Sequence, residues 1–511
     1  MRYHVLGVGA IGTLVAHHLR HSTPSPVSLI YRHARKVGPK KAETPTERPP
    51  LSIFVKRGET GSQSTGFDIE KVHDAAHRPD LLTGVTPEAH NGQIDSLIVC
   101  LKTPDTLLGV QRLSPRLTSA SVITLLQNGM GVYDQLCQEL FQDPMTRPQF
   151  ILGTTTHGVT RTRSHGVIRH MSRPGEGEMK FGVVPDPRGL VDINEWIWPG
   201  KDVSADHIIT PPPSPALPLP PPPTASFVNL HNTLNTLLSL SELSPSLLPM
   251  PHLHHQLLLK LAINSAINPL TAILGLGALP NGALLSNDAG YKLIRDILAE
   301  TSRILLSYIH SLSAPDVPSV DVLRLFSEES LERRCFAVIR ETKKNTSSMA
   351  ADIARGKVTE IANINGYLVS LAARLDVPAP THKMLVDMVK YISAVSHPMS
   401  VVENKHRLPL RGVRSYAETL RLQAEAGGEG TAEVARAGTQ ESADIEKPVV
   451  EVENASVTER REHELEVRRK ALAVRQAEER AAITARRRER RAEKEARRVL
   501  SPERRKTVYG S

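Results

Sequence analysis

Residues 1–20 read MRYHVLGVGAIGTLVAHHLR, and the reading of this stretch decides the fold. A short apolar run leads into Gly7, Gly9 and Gly12, and a helix-like pattern follows from Ala10 to about Arg20. Three glycines at this spacing have separate uses: a tight turn, close approach of backbone to a pyrophosphate, and close packing of the following helix on a sheet. A strand before and a helix after are the context that turns a weak three-glycine pattern into a dinucleotide-binding turn, so Gly7, Gly9, Ala10, Ile11 and Gly12 are its candidate cradle. The competing reading is a signal peptide, with Arg2 as the charged region and Val5 to Ala16 as the apolar core. The spaced glycines, the pair His17-His18 and the lack of a small-residue cleavage site argue against it, and the start at the first strand argues against a removable presequence.

A second strand, Val27 to Tyr31, ends in Arg32, twenty positions beyond Gly12. An enzyme using NAD places an acid there for the ribose hydroxyls, whereas Arg32, with Arg35 and Lys36 behind it, suits a 2′-phosphate, which favours NADP as NADPH. Ser96 to Leu101 is a continuous apolar run ending at Lys102-Thr103, and Val122 to Leu126 is another, ending at Gln127-Asn128-Gly129-Met130-Gly131. Such runs read as parallel strands buried on both faces. Ligands of open parallel sheets lie beyond the carboxyl ends of the strands, which places Lys102 and Asn128 to meet a nicotinamide and its substrate. Taken singly, Lys102 is also an ordinary loop lysine and Asn128-Gly129 an ordinary turn.

Farther along comes KLAINSAINPLTA, residues 260–272. Each four-residue step on a helix drifts about 40° around the axis, so Lys260, Asn264 and Asn268 form one polar stripe on an otherwise apolar helix. A polar stripe in apolar surroundings needs partners, and a polar substrate is one. Surface exposure with backbone partners is the alternative. Pro269 predicts that Asn268 sits at a helix end or kink. A later cluster, Ser347 to Asp352 and Thr359 to Gly366, carries Ser348 and Glu360 in helix-compatible, fairly apolar sequence. A buried carboxylate requires a partner, and Lys260 is the one assigned; an exposed helical charge is the other reading of Glu360.

Together GVGAIG, Lys102, LLQNGMG, KLAINSAINPLTA and SSMAADIARGKVTEIANINGYL resemble the ketopantoate reductase (2-dehydropantoate 2-reductase) family, in its eukaryotic, insertion-bearing form. The resemblance covers about residues 1–200 and 255–396. It implies reduction of the 2-ketone of ketopantoate to D-pantoate with NADPH, on the route to pantothenate and coenzyme A. By the same resemblance Lys260 is the general acid, Glu360 orients it and accepts from the substrate hydroxyl, Asn264, Asn268 and Ser348 hold the substrate, and Lys102 and Asn128 fix the nicotinamide end. Two alternatives stay open: reduction of another branched 2-oxo acid, and a non-catalytic protein on this fold that binds RNA or a partner through its C-terminal tail.

The 511 residues allow two or three domains, although with 4% aromatic residues part of the chain is expected to pack nothing. Cys100, Cys137 and Cys335 are odd in number and far apart, which indicates free thiols in a reducing compartment. The apolar stretch nearest to a membrane span, Leu257 to Leu274, contains Lys260 and two asparagines, so no membrane is expected. The expected fold is α/β: a Rossmann-type NADP-binding domain over 1–200, a proline-rich linker or insertion over 201–255, an all-α substrate domain over 256–396, and a low-complexity linker and basic tail over 397–511. Within the first domain, about Phe150 to Val159, Gly166 to Met171 and Glu178 to Val184 are expected to extend the sheet antiparallel. Pro215-Ala216-Leu217-Pro218 has the form of an SH3 ligand, but such a pattern is common in proline runs and a spacer or insertion is the simpler reading. His252, His254 and His255 lack a further ligand at zinc spacing and sit among loop formers, so no metal is assigned. Residues 456–511 carry 18 Lys plus Arg against 10 Asp plus Glu, or +8 of the chain's net +9. The rest of the chain is near neutral, and the basic run Arg486 to Arg491 suits a weak nucleic-acid or acidic-partner contact or a solvated helix. Its heptads are too few for a coiled coil. A homodimer is compatible with a helical domain of this type, and the cytoplasm is the expected location, with mitochondria the alternative.

Overall fold

The computed structural model describes residues 1–31, 52–71, 92–162, 164, 166–201, 203, 211–275, 279–313 and 318–396. All of these belong to one compact unit, Met1–Arg407. Arg32 and residues 397–511, including the basic tail, lie outside the described residues.

The first apolar run forms β1 (Tyr3–Leu6) and the glycine turn leads into α1 (Ala10–Ser22). Next come β2 (Val27–Tyr31), β3 (Ile53–Arg57), β4 (Thr60–Ser64), β5 (Phe67–Lys71), β6 (Ser96–Val99), α2 (Thr103–Gln111), β7 (Val122–Leu125), α3 (Val132–Glu139) and β8 (Gln149–Thr155). Six strands pair in parallel in the spatial order β5-β2-β1-β6-β7-β8. This is the doubly wound dinucleotide-binding order, whose direction of winding switches between β1 and β6 and opens a crevice there. The central strands are buried on both faces, Val5, Leu29 and Ile98 completely, which is why their sequences are continuously apolar.

Beyond β8 the expectation of an antiparallel extension meets a different arrangement. β8 is parallel to β7; β11 (Met179–Val183) is the antiparallel neighbour of β8, and β12 (Pro245–Leu247) pairs parallel to β11. β9 (Val159–Arg161) and β10 (Val167–His170) instead join the β3-β4 hairpin in a second, four-stranded sheet ordered β4-β3-β10-β9. That sheet packs against α1, and His17 of α1 meets the Ser64 and Ser62 hydroxyls at 2.8 Å each. The hairpin has no strong apolar alternation, so its pairing rests on non-local contacts that a local reading misses.

The described residues of 201–255, expected to be a proline-rich linker or insertion, pack on the sheet domain. After α4 (Ile193–Ile197), the Pro213 and Pro221 carbonyls accept from the Trp198 and Trp196 indoles, and Leu219 is buried. α5 (Val228–Leu238) then buries Leu230, Leu234 and Leu237 in the core of the sheet domain, and β12 extends its sheet. Proline excludes this stretch from a ladder but not from packing.

The helical part comprises α6 (Met250–Leu274), α7 (Asp288–Ser313), α8 (Val320–Leu325), α9 (Glu328–Glu341), α10 (Ser348–Ala354), α11 (Asn365–Arg374) and α12 (Pro380–Ser396). α6 is its axis, with α7, α9, α10 and α12 packed around it. By length and composition α6 could cross a membrane, but 67% of its most apolar 18-residue stretch is buried in protein, as in a core helix. His252, His254 and His255 lie in its first turns rather than in a loop. Pro269 is inside α6, which runs on to Leu274, so Asn268 is not at a helix end. The proline cannot donate to the Ser265 carbonyl one turn earlier. Asn365 takes over that function, its Nδ2 donating to Ser265 O at 2.9 Å and to His382 Nδ1 at 3.1 Å.

Candidate active site

The crevice between β1 and β6 is built from glycine. Gly7 has φ +98°, and a Cβ on it would lie 2.6 Å from the Leu101 N and 2.8 Å from the Cys100 carbonyl carbon, just beyond β6. A Cβ on Gly12 would lie 2.1 Å from the Gly7 carbonyl oxygen, so no other residue lets α1 start this close to the sheet. Gly9 differs, since a Cβ there would meet nothing within 4 Å. The space beside it is open, and α1 opens on it with neither an acidic residue in its first turn nor a side-chain cap. Ala10, Ile11 and Gly12 form that first turn, whose N–H groups and dipole suit a pyrophosphate.

Lys260 lies on the half-buried face of α6, and its Nζ donates to Thr154 Oγ1 at 3.1 Å and to the Thr155 carbonyl at 2.9 Å, at the end of β8. Burial lowers its pKa from 10.5 to about 8, with the Glu360 carboxylate acting in the opposite direction. Asn264 and Asn268 continue the stripe, Asn264 half-buried and Asn268 buried. Neither carboxamide has a hydrogen-bonding partner among the described residues. Ser348, in the first turn of α10, is exposed, while its neighbour Ser347 is buried and caps that helix through Ala350 N at 3.1 Å.

Glu360 is 5% exposed and stands in a bend before the 3-10 turn Ile361–Asn363, not within a helix as its sequence suggests. Its partners are Asn128 Nδ2 and the Thr103 backbone N–H, each at 3.3 Å. Burial raises its pKa, and Lys102 is the foremost group opposing that rise. The expected ion pair with Lys260 is not formed among the described residues. Lys260 feels Glu360 through space only, and the ion pair that closes the site is Lys102 with Asp352 of α10. Burial also raises the pKa of Asp352, against the pull of Lys102. Lys102 and Asn128 thus stand at the ends of β6 and β7, as expected, and both reach to carboxylates of the helical domain.

Sequence reading missed four contributors. Thr154 and Thr155 hold the Lys260 ammonium, and Asp352 holds Lys102. Asn363 clamps the loop after β7: Met130 N donates to Asn363 O at 2.9 Å and Asn363 Nδ2 donates to Met130 O at 3.1 Å. Only Gly129, with a would-be Cβ 2.4 Å from Asn363 O, allows that approach. All four lie in strings noted for other residues, and only long-range packing reveals their use.

Known proteins place this architecture. The family model described as "Ketopantoate reductase PanE/ApbA" matches residues 51–186, and that described as "Ketopantoate reductase PanE/ApbA C terminal" matches residues 252–393. The chain is 26% identical over 400 residues to "Probable 2-dehydropantoate 2-reductase" of Schizosaccharomyces pombe, covering 76% of this chain and 95% of the relative. It is 25% identical over 382 residues to "2-dehydropantoate 2-reductase" of Saccharomyces cerevisiae, covering 73% and 88%. Among solved structures, 2-dehydropantoate 2-reductase from Methylococcus capsulatus shares the fold with a TM-score of 0.51 at 18% identity, over 79% of this chain and all of that one. D-mandelate dehydrogenase with NADH and anilino(oxo)acetate does so at 0.52 and 16%, over 78% and 99%.

Proposed function

The chain belongs to the ketopantoate reductase family, and from that premise we propose that it reduces 2-dehydropantoate to D-pantoate with NADPH. The cofactor is a nicotinamide dinucleotide; the choice of NADPH rests on Arg32 in the sequence. The observation that carries the proposal is the Lys260–Asn264–Asn268 stripe, an ammonium with a lowered pKa followed by two carboxamides without hydrogen-bonding partners among the described residues.

When bound, the nicotinamide supplies a hydride to the ketone carbon. The chain's residues handle charge and proton. As the carbonyl oxygen becomes an alkoxide, the Lys260 ammonium stabilises it and donates the proton. A pKa of about 8 makes that ammonium a far better donor than an ordinary lysine, yet keeps it charged at neutral pH. Asn264 and Asn268 offer donors and acceptors for a carboxylate and hydroxyl, and Ser348 adds a hydroxyl on the facing helix. Glu360, held by Asn128 and the Thr103 N–H, supports the charge of Lys260 and serves as the acceptor for the substrate hydroxyl. Gly9 and the start of α1 would hold the pyrophosphate.

The experiment is NADPH oxidation by the purified protein across a panel of 2-oxo acids. Ketopantoate should give the highest kcat/KM, and a higher value for another branched 2-oxo acid would replace the substrate while keeping the reaction. No turnover with any member would overturn the reading.

A further inference from the structure

A separate cavity of about 810 Å³ lies behind the loop after β7 and includes none of Lys260, Asn264, Asn268, Ser348 or Glu360 in its walls. It is bounded by the ends of β7 and β8, the start of α3, the segment between β11 and α4, and the first turns of α6, with residues of α7 and α11 completing it. The size falls within the range of small-molecule sites. On α6 the facing positions Met250, His254 and Leu257 are rotated roughly 60 to 120° around the helix from Lys260, at about 100° per residue. The two sites therefore adjoin one another on α6, with Leu257 between the cavity and Lys260.

The chemistry of the walls is the reverse of that in the candidate active site. Much of the lining is apolar, as at Leu125, Val132, Leu152, Val184 and Leu257, and Tyr133, Tyr308 and Tyr367 add aromatic surface. The His254 ring stands edge-on to Tyr308, at 5.7 Å and 89°, and burial lowers the His254 pKa, favouring the uncharged form. Among the described residues no lysine or arginine lines the cavity, whereas three aspartates do. Two of these are already used: Asp186 accepts from Arg188 Nε at 2.8 Å and from Leu190 N at 3.0 Å, and Asp192 caps α4 through Asn194 N and Glu195 N. Asp134, in the first turn of α3, has no hydrogen-bonding partner among the described residues. Burial raises its pKa, and Arg374, outside the lining, opposes that rise and favours the carboxylate.

We propose that this cavity is a second ligand site, which takes an organic ammonium on an apolar or aromatic body, with the cation against Asp134 and the tyrosine faces. An ammonium is attracted both by a carboxylate and by the negative face of an aromatic ring, while the apolar walls bury the rest of the molecule. A 2-oxo acid or a nucleotide phosphate finds no lysine or arginine among the lining residues and only Arg374 outside them, so the site is not a duplicate of the first.

The test uses the full-length protein and three probes that share one ring, 2-phenylethylamine, 2-phenylethanol and phenylacetate, titrated by calorimetry and ligand-observed NMR. It needs no turnover, so it stands or falls independently of the proposed reaction. The amine should bind at one site per chain, about fivefold or more tighter than the alcohol, with phenylacetate weakest. Asp134→Asn, at an exposed position, should abolish the preference for amine over alcohol while leaving the circular dichroism spectrum unchanged. Met250→Trp should fill the mouth of α6 and remove binding of both. No binding of the amine, equal affinity for amine and alcohol, tighter binding of phenylacetate, or binding untouched by Met250→Trp would each overturn the proposal.

Discussion

Lys260 concentrates the chemistry, and its surroundings set how it responds to change. Lys260→Ala should lower turnover by about 10² to 10⁴ while leaving cofactor binding in place, the usual contribution of a positioned acid. Near-normal turnover in that variant would remove Lys260 from the mechanism. The sign of the pH effect follows from its role as an acid: the proton is present below about pH 8 and is lost above it, so kcat/KM should fall on an alkaline limb near pH 8 rather than near 10.5. Glu360 holds the Lys260 pKa up, so Glu360→Gln should move that limb to lower pH. A limb that stays in place would disconnect the two. Arg32→Ala should weaken NADPH far more than NADH, by about 1.5 to 3 kcal/mol for a hydrogen bond to a charged group. Equal losses would separate Arg32 from the 2′-phosphate. At this scale the sequence displays residue types and helical spacing, so the Lys260 stripe was legible. The ion pair between Lys102 and Asp352 was not, because it joins residues 250 positions apart that no local period connects.

Among the elements, α6 shows where local rules end. Pro269 reads as a helix boundary, yet the helix continues because Asn365 supplies the donor that proline lacks. Asn365→Ala should leave the buried Ser265 carbonyl and His382 Nδ1 without that donor and cost about 1 to 3 kcal/mol, read from the urea midpoint. With Pro269→Ala in the background the new N–H can serve Ser265, so the same substitution should cost less. Equal costs would mean that Asn365 acts elsewhere. A second element-scale effect comes from histidines buried without charge. Burial foremost lowers His17 to about 3 and His18, His170, His252 and His382 to about 4. The unfolded chain takes up protons below about pH 6.5, the ordinary histidine value, while the folded chain does not. Stability should therefore be fully present above pH 6.5 and fall as the pH drops towards 4. A flat urea midpoint between pH 7 and pH 5 would contradict this. The parallel strands were legible as elements because burial on both faces leaves a continuous apolar run. The β3-β4 hairpin and α5 were not, since the first has little apolar pattern and the second follows a proline run that suggests a spacer.

Across the whole molecule, charge and catalysis occupy different parts of the sequence. Every residue proposed to act in the reduction precedes Gly366, while +8 of the chain's net +9 falls within residues 456–511. A neutral catalytic region is consistent with a small anionic substrate recognised by a few placed groups rather than by a general field. The family matches likewise end at residue 393, so nothing in them extends the reductase machinery into the tail. A chain ending at Ser396 should therefore fold, bind NADPH and reduce ketopantoate at close to the full-length rate. If the basic run contacts nucleic acid, only the full-length protein should bind RNA, and its affinity should fall steeply with salt as counterions are released. The measurement pairs steady-state turnover with circular dichroism on both proteins. Loss of turnover at unchanged secondary structure would make the tail part of the active enzyme, and the division of the chain at residue 396 would then be wrong.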